Sequence, residues 1–519
     1  MKQIRKNLLT NILCLLSNVV IGLAYTPYLV RELGVVAYGV LPLALLINQY
    51  IIILTDSLQN SVTRFYSIAY RRGDYHQASI YFSSTIIIAL LLPLFVLPIV
   101  ILLLPWIENV MHIPEELRRS VGLLFVYTCS SLFLSIISNC INITAYSVNR
   151  LDLLNYLKIA RNLLKFVVNV LLFVLFSTDV ANVGLSSIIA ELFVLVMSIT
   201  FYKSTKHMNI AFGKKYIILS SMKPVIKMLS WVSLTSLSSV FLYKMDSLLI
   251  NNYFGLYYTG VLGSISEFGS YCISITSLIG VLYRPLMLIK YSEGNHESLV
   301  RTTIDGAYIS GFLSCLLCGI VMGLSSSLIK IWLNEEIAGY SVWLIIKMTM
   351  IPITTFGSTF SIVNNLWNRV RDCALWSLII SFTYLFVSLF LLEMGIDICT
   401  FLCLSSIAAI MQGTVLHISV YSKIYPNSMK EVYSKLTKCI LFFAIVFSMA
   451  KFVDYVIFVS DVTSLILAII VTGILTLCII PFFIRGKDID ALDIVVPIKT
   501  IISKYYQIKN NKYGKTEKM

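Results

Sequence analysis

The stretch Leu33-Gly34-Val35-Val36-Ala37-Tyr38-Gly39-Val40-Leu41 decides how this chain is read, because it occurs twice. It returns as Phe254-Gly255-Leu256-Tyr257-Tyr258-Thr259-Gly260-Val261-Leu262, 221 positions later. The same ungapped offset pairs Tyr70 with Tyr291, Gly73 with Gly294 and Asp74 with Asn295. Each copy lies between two long apolar runs, so it reads as a tight turn joining two membrane helices, with glycine supplying backbone angles that other residues resist. Chance likeness between apolar segments is the alternative. Register kept over roughly forty residues, across a helix and both its flanking loops, argues for duplication.

Composition supports the membrane reading. Of 519 residues 58% are hydrophobic and 13% charged, with mean hydropathy +0.85; a soluble chain carries about 25% charged residues. The apolar content sits in long continuous runs, not in alternating ten-residue segments, so the fold class is an all-α polytopic membrane protein of inner-membrane type and not a β-barrel. Met1-Lys2-Gln3-Ile4-Arg5-Lys6-Asn7 leads straight into a spanning run, without the pattern of a cleavable signal. Cys315-Leu316-Leu317-Cys318 has redox spacing but lies mid-span without a βαβ context, and the five histidines show no metal-ligand spacing. No Gly-rich phosphate loop follows a strand. Neither a cofactor nor a metal is expected.

Fourteen spans can be placed: 8–30, 38–63, 79–104, 120–147, 157–178, 183–202, 228–251, 258–284, 302–326, 338–366, 374–393, 398–421, 436–456 and 462–484. With both termini in the cytoplasm, 31 of the 40 Lys and Arg residues fall on the inside and only Arg31, Arg118, Arg119, Lys330 and Lys451 outside. Lys and Arg retained on the cytoplasmic side set orientation. The net charge of +14 is therefore a topology signal and a fit to anionic lipid, not a nucleic-acid footprint. The offset maps spans 1 and 2 onto 7 and 8, so each repeat holds six helices and both keep one orientation, as in parallel-repeat transporters. The expected organisation is an N-lobe over 1–202, a basic cytoplasmic linker over 203–227 and a C-lobe over 228–421. Two extra spans over 422–484 follow as an appendage, then a basic tail over 485–519. The outside loop 105–119 is expected to lie at the membrane interface, anchored by Trp106. In the tail, Ile498, Ile501, Ile502 and Tyr505 recur at helical spacing, which suits either a helix on the inner leaflet or a disordered basic tail.

Ionisable groups within spans are costly and carry the functional reading. Lys158, Arg161, Asn162, Lys165 and Asn169 share one face of span 5. At 1.5 Å per residue they descend to roughly 16 Å. The offset places Ile379, Phe382 and Phe386 at the span 11 positions of Lys158, Arg161 and Lys165, so only the first lobe carries these cations. A cavity-lining anion site is one reading; snorkelling or structural ion pairing is the other. Asn11, Asn18 and Tyr25 recur every seven residues in span 1, with Val232, Ser239 and Asp246 as mates in span 7. Pro27 should bend span 1 near its outer end. Span 2 carries Gln49, Asp56, Asn60 and Arg64; span 8 carries Glu267, Ser270 and Arg284; span 10 carries Lys347. For Asp246 and Glu267 a buried partner and a coupling role stand level, and Arg31, Arg64 and Arg284 suit interface anchors.

Arg31-Glu32-Leu33-Gly34, Tyr38-Gly39, Asp56, Arg64-Phe65 and Ala69-Tyr70-Arg71-Arg72-Gly73-Asp74 together resemble the opening of Wzx-type polysaccharide repeat-unit flippases. These belong to the multidrug/oligosaccharidyl-lipid/polysaccharide exporter superfamily, with MATE antiporters and lipid II flippases. Asp246, Gly255 and Gly260 look like the second-half equivalent. The likeness is strongest in spans 1–3 and 7–8; Leu58 stands where the family often has Gly, and Leu262 where Tyr is usual. The resemblance implies two six-helix lobes around a cavity lined by spans 1, 2, 7 and 8, alternating between inward- and outward-open states. It implies an undecaprenyl-diphosphate-linked oligosaccharide as cargo, and a polysaccharide polymerase and chain-length machinery as partners besides the bilayer. On that reading Arg161, Lys165, Lys347 and Arg284 are candidates for the diphosphate. Asn11, Asn18, Gln49 and Asn169 are candidates for the glycan, and Asp246, Glu267, Asp56, Tyr25 and Pro27 for coupling or gating. A MATE-like drug or cation antiporter would favour a mainly acidic cavity, and a membrane polymerase a sizeable outside loop.

Overall fold

The computed structural model describes residues 2–45, 72–147, 150–204, 213–218, 223–367 and 369–484, with Val62, Phe65, Tyr66, Ala69 and Tyr70 between the first two segments. Gln49, Asp56, Asn60, Arg64, most of the linker and the tail from 485 lie outside the described residues. The long helices follow in chain order: α1 (Lys2–Tyr38), α2 (Tyr75–Val110), α3 (Glu115–Ser147), α4 (Leu151–Leu175), α5 (Val180–Ser204), α6 (Lys223–Phe254), α7 (Leu256–Ser292) and α8 (His296–Gly323). Two short helices, α9 (Ser325–Trp332) and α10 (Glu335–Ala338), precede α11 (Ser341–Leu366), α12 (Val370–Glu393) and α13 (Ile398–Ile410). A π turn over Met411–Val415 joins α13 to α14 (Leu416–Ser422), and α15 (Met429–Ile457) and α16 (Val462–Phe483) end the described chain. Among the described residues ten helices are long and apolar enough to cross a membrane and none forms a strand. The chain is an all-α, multi-pass membrane protein.

Several helices reach beyond the apolar windows. Helical backbone continues from α2 through Trp106 to Val110, and α3 begins at Glu115. The turn between them is therefore shorter than the interfacial loop expected over 105–119. Likewise α1 runs on through Pro27 and breaks at Gly34, whose φ of 78° and ψ of 159° leave helical space.

The duplicated turn behaves alike in both copies. Gly34 and Gly255 both take positive φ, 78° and 102°. Farther along, Gly73 and Gly294 do the same at 78° and 69°. Around them the hydrogen bonds repeat at the 221 offset: Asp74 N–H donates to the Ala69 carbonyl and Asn295 N–H to the Lys290 carbonyl, each at 3.1 Å. The side chains of Asp74 and Asn295 then cap the next helix, accepting from the amides of Gln77 and Ser298 at 2.9 and 3.0 Å.

The two copies of the turn also pack on each other. A side chain at Gly39 would run into the Leu256 carbonyl, and one at Gly260 into the Val35 carbonyl. Val35 and Leu256 are themselves mates at the same offset. Pro42 likewise lies against its own mate, Gly263. A contact in which each residue meets its mate's neighbours maps onto itself when the repeats are exchanged, which is the mark of a two-fold relation.

Packing divides the helices into two compact units: Met1–Glu267 with Ser377–Ser405, and Phe268–Trp376 with Ser406–Met519. The late segment joins the first unit because α12 lies along α6, with the Ser238 and Ser381 hydroxyls 2.9 Å apart. The second unit is held by α8 against α15. Gly311, Cys315, Gly319 and Gly323 recur every four residues on α8, and a side chain at Gly319 would meet the Val446 Cβ at 3.0 Å. Phe312 stacks on Phe442 at 3.9 Å, Lys435 Nζ sits 4.3 Å from the Tyr308 ring centre, and Tyr308 Oη donates to the Phe483 carbonyl at 2.8 Å. The two last helices are part of this core, and so more than an appendage.

Candidate functional site

The candidate site grows from the pairing of α1 with α4. The partners are related by a nearly constant separation: Asn7 with Asp152 and Thr10 with Asn155 at 145 residues, Asn18 with Asn162 at 144. Such a constant shift means that the two helices run parallel. The contact changes character along its length. At its start Asp152 is buried and takes Lys6 Nζ at 2.8 Å, Arg150 Nε at 3.1 Å and the Gln3 amide at 2.8 Å. Burial pushes this carboxyl up, but the bonds from Lys6, Arg150 and Gln3 outweigh it and hold it at about 2. At its far end the contact is aromatic: Tyr25 meets Phe166 edge-on at 5.6 Å, and Tyr28 stacks on Phe173 at 5.8 Å.

Between these ends lies the cationic face. Asn162 donates to Asn18 Oδ1, and Arg161 Nε donates to Asn162 Oδ1 at 3.2 Å. The other side of the guanidinium reaches Glu191 on α5, Nη1 to Oε1 at 3.2 Å. Lys158 is exposed; Lys165 is half-buried, one turn beyond Arg161 and within the electrostatic reach of Arg161 and Glu191. Asn169 is fully buried, and neither atom of its amide has a hydrogen-bond partner. Beside this face is a small cleft of about 40 Å3 between α3, α4 and α5. It is lined by Ser135, Ser138, Asn139 and Asn142 from α3, Lys158 and Arg161 from α4, and Glu191 from α5.

The structure thus joins Asn18, Arg161, Lys165 and Asn169 along one helix pair, with Asn11 half-buried farther back on α1. Asp246, the mate of Tyr25, is buried on α6 and accepts from Tyr384 Oη on α12 and Ser405 Oγ on α13, each at 2.5 Å. This α6–α12 contact is the repeat counterpart of α1–α4. Glu267 on α7 and Lys347 on α11 are half-buried, and Arg284 on α7 is exposed. Gln49 and Asp56 fall outside the described residues. Sequence reasoning missed Glu191 and Asp152. The signal for Glu191 was available: it is the one acid in the apolar run from 183 to 202. Among the described residues no group of three or more His, Cys, Asp or Glu could hold a metal ion.

No protein-family model matches the chain. The uncharacterized membrane protein EpsK of Bacillus subtilis (strain 168) is 23% identical over 368 residues, 68% of this chain and 72% of that protein. Among solved structures, lipid II flippase MurJ in its inward closed conformation matches with a TM-score of 0.65 at 13% identity, over 91% of this chain and 98% of MurJ. The Vibrio cholerae MATE transporter VcmN matches with a TM-score of 0.63 at 15% identity, over 82% of this chain and 96% of VcmN. A MOP superfamily transporter from Pyrococcus furiosus, reported to have a binding pocket of reverse polarity, matches with a TM-score of 0.58 at 14% identity, over 83% and 96%. The chain therefore has the fold shared by MATE transporters and the lipid II flippase MurJ.

Proposed function

We propose that this chain is a flippase that turns an undecaprenyl-diphosphate-linked oligosaccharide from the inner to the outer leaflet of the bacterial cytoplasmic membrane, for polysaccharide synthesis. The observation that carries the reading is the charge balance on α4: Lys158, Arg161 and Lys165 face a single carboxylate, Glu191, beside a polar cleft. Three cations against one anion leave an excess that a diphosphate can neutralise, and such groups are kept in a membrane span at a cost. The guanidinium presents a planar fork to a phosphate and the lysines add point charge. Asn11, Asn18 and Asn169 offer amides to a neutral glycan; Gln49, Lys347 and Arg284 complete the proposed binding set, and Asp246, Glu267, Asp56, Tyr25 and Pro27 the coupling set. In this reading two lobes, 1–202 and 228–421, rock about the linker 203–227 with both termini in the cytoplasm. A polymerase and chain-length machinery then act on the delivered unit. Deleting the gene should make the lipid-linked oligosaccharide accumulate with its sugar facing the cytoplasm; a normal leaflet distribution would reject the reading.

A second reading, a cation-coupled drug antiporter, draws on the buried Asp246 with its two hydroxyl donors. It requires that deletion sensitise cells to cationic drugs and leave lipid-linked intermediates unchanged.

A further inference from the structure

Two buried acceptors in the cleft beside Arg161 lack donors. Glu191 spends Oε1 on Arg161, while Oε2 has no partner; Asn142 Oδ1, lining the same cleft from α3, has none either. Both residues are more than nine-tenths buried, at 8% and 5% exposure. Two orphaned acceptors in one enclosed place are costly. A proton at Oε2 would turn that acceptor into a donor, in a cleft where Asn142 offers an acceptor.

We propose that Glu191 is a resident counter-ion and proton site: an incoming phosphate takes Arg161 away from it, and Glu191 then takes up a proton from water. The proposal rests on the diphosphate reading above. Both anions compete for the same guanidinium. Once the phosphate holds Arg161, an ionised Glu191 would be a buried charge without its partner, the arrangement a low-dielectric site tolerates least. The carboxylate plus one proton becomes a neutral acid; the phosphate supplies the negative charge that the cations then face.

A proton suits the position better than a metal cation. Arg161, Lys158 and Lys165 of α4 stand around Glu191, and a bound metal ion would be repelled by all three, whereas a proton only neutralises. The cleft residues from α3, Ser135, Ser138, Asn139 and Asn142, are neutral. The titratable groups of α1 on this side are Cys14, which feels Lys158 and Arg161, and Tyr25, which faces Ser186 of α5. None supplies a competing carboxylate. At the 221 offset Glu191 becomes Gln412 and Arg161 becomes Phe382, so the second repeat lacks the charged pair.

The sign of the linkage is fixed. If binding takes up a proton, affinity rises as pH falls, and the dependence disappears once Glu191 is protonated in the free protein as well. The probe is a polyprenyl-diphosphate ester of N-acetylglucosamine, whose phosphates stay ionised across neutral pH, bound to the full-length protein in lipid nanodiscs. The wild type in weakly buffered solution should take up protons on binding, approaching one per lipid at pH values between the Glu191 pKa of the free protein and that of the complex. Glu191→Gln should bind the probe roughly tenfold more tightly at alkaline pH, the scale of one charge-assisted hydrogen bond released, and lose the pH dependence. Binding by the wild type without proton uptake overturns the switch alone, and needs no variant to fold. Equal pH dependence in wild type and Glu191→Gln also overturns the switch alone. Absence of probe binding by both proteins overturns the diphosphate reading and the switch with it.

Discussion

At the scale of single residues, the polar ladder between α1 and α4 makes separable predictions. Asp152 is held low by Lys6, Arg150 and Gln3, so its contribution to stability is present above the ordinary carboxyl range and is lost as pH falls from about 4 to about 2. Asp152→Asn should cost about 1–2 kcal/mol at neutral pH, discounted for the half-exposed Lys6 and Arg150, and the deficit should vanish in acid. Thermal unfolding in detergent across pH reads both. Lys165→Ala should lower transport about ten- to hundredfold at normal protein level, since each phosphate contact contributes on the order of 1.5–3 kcal/mol. Arg161→Ala should do more: it also strands Glu191, so melting temperature falls together with transport. Unchanged transport in Lys165→Ala would make that lysine a snorkelling group. The cationic face of α4 was legible because its residues share a helical period. Glu191 was not, because its partner lies 30 residues away on another helix and periodicity within one helix does not reach across. Tyr384 and Ser405 escaped for a simpler reason: neutral hydroxyls in a span look like ordinary packing until a carboxylate is found between them.

At the scale of elements, the paired turns separate two uses of glycine. Gly34 has nothing within 4 Å of where a Cβ would stand, but its backbone lies in a region open almost only to glycine. Replacement there should cost about 1–3 kcal/mol whatever the size of the new side chain. Gly260 faces the Val35 carbonyl and the Gly39 amide, the latter 3.2 Å from a built Cβ, and backbone cannot swing aside as a side chain can. There the loss should grow from Ala to Leu, since overpacking scales with added volume. A thermal-stability series at the two positions checks this: a size-independent loss at Gly260 would mean that the turns do not bear on each other. The repeated sequence made both turns readable as turns. Their mutual contact was not, because nothing in a repeat says where its copies meet. The π turn at Met411–Val415 was also hidden; it sits where Gly413 packs on Thr354 and the Thr414 hydroxyl donates to the Ile353 carbonyl at 2.7 Å, a fit made between helices.

At the scale of the whole molecule, the all-α membrane fold followed from composition and from runs of spanning length. The place of α15 did not: its packing rests on the small residues Gly311, Cys315, Gly319 and Gly323 of α8, whose four-residue spacing in sequence does not say which helix will lie on it. Orientation remains open to a direct check. Reporter fusions at Lys214, Lys290 and Lys430 should read cytoplasmic, and fusions at Glu115 and Glu335 outside; an outside reading at Lys214 would break the scheme of two six-helix repeats in one orientation. The central claim, that the α4 cations carry a lipid-linked diphosphate across the bilayer, is tested most directly in proteoliposomes holding a fluorescent polyprenyl-diphosphate disaccharide in both leaflets. A membrane-impermeant quencher should reach only the outer-leaflet label in empty liposomes and in those with Arg161→Ala/Lys165→Ala, and nearly all of it with the wild type. Equal quenching by wild type and double variant would contradict the account.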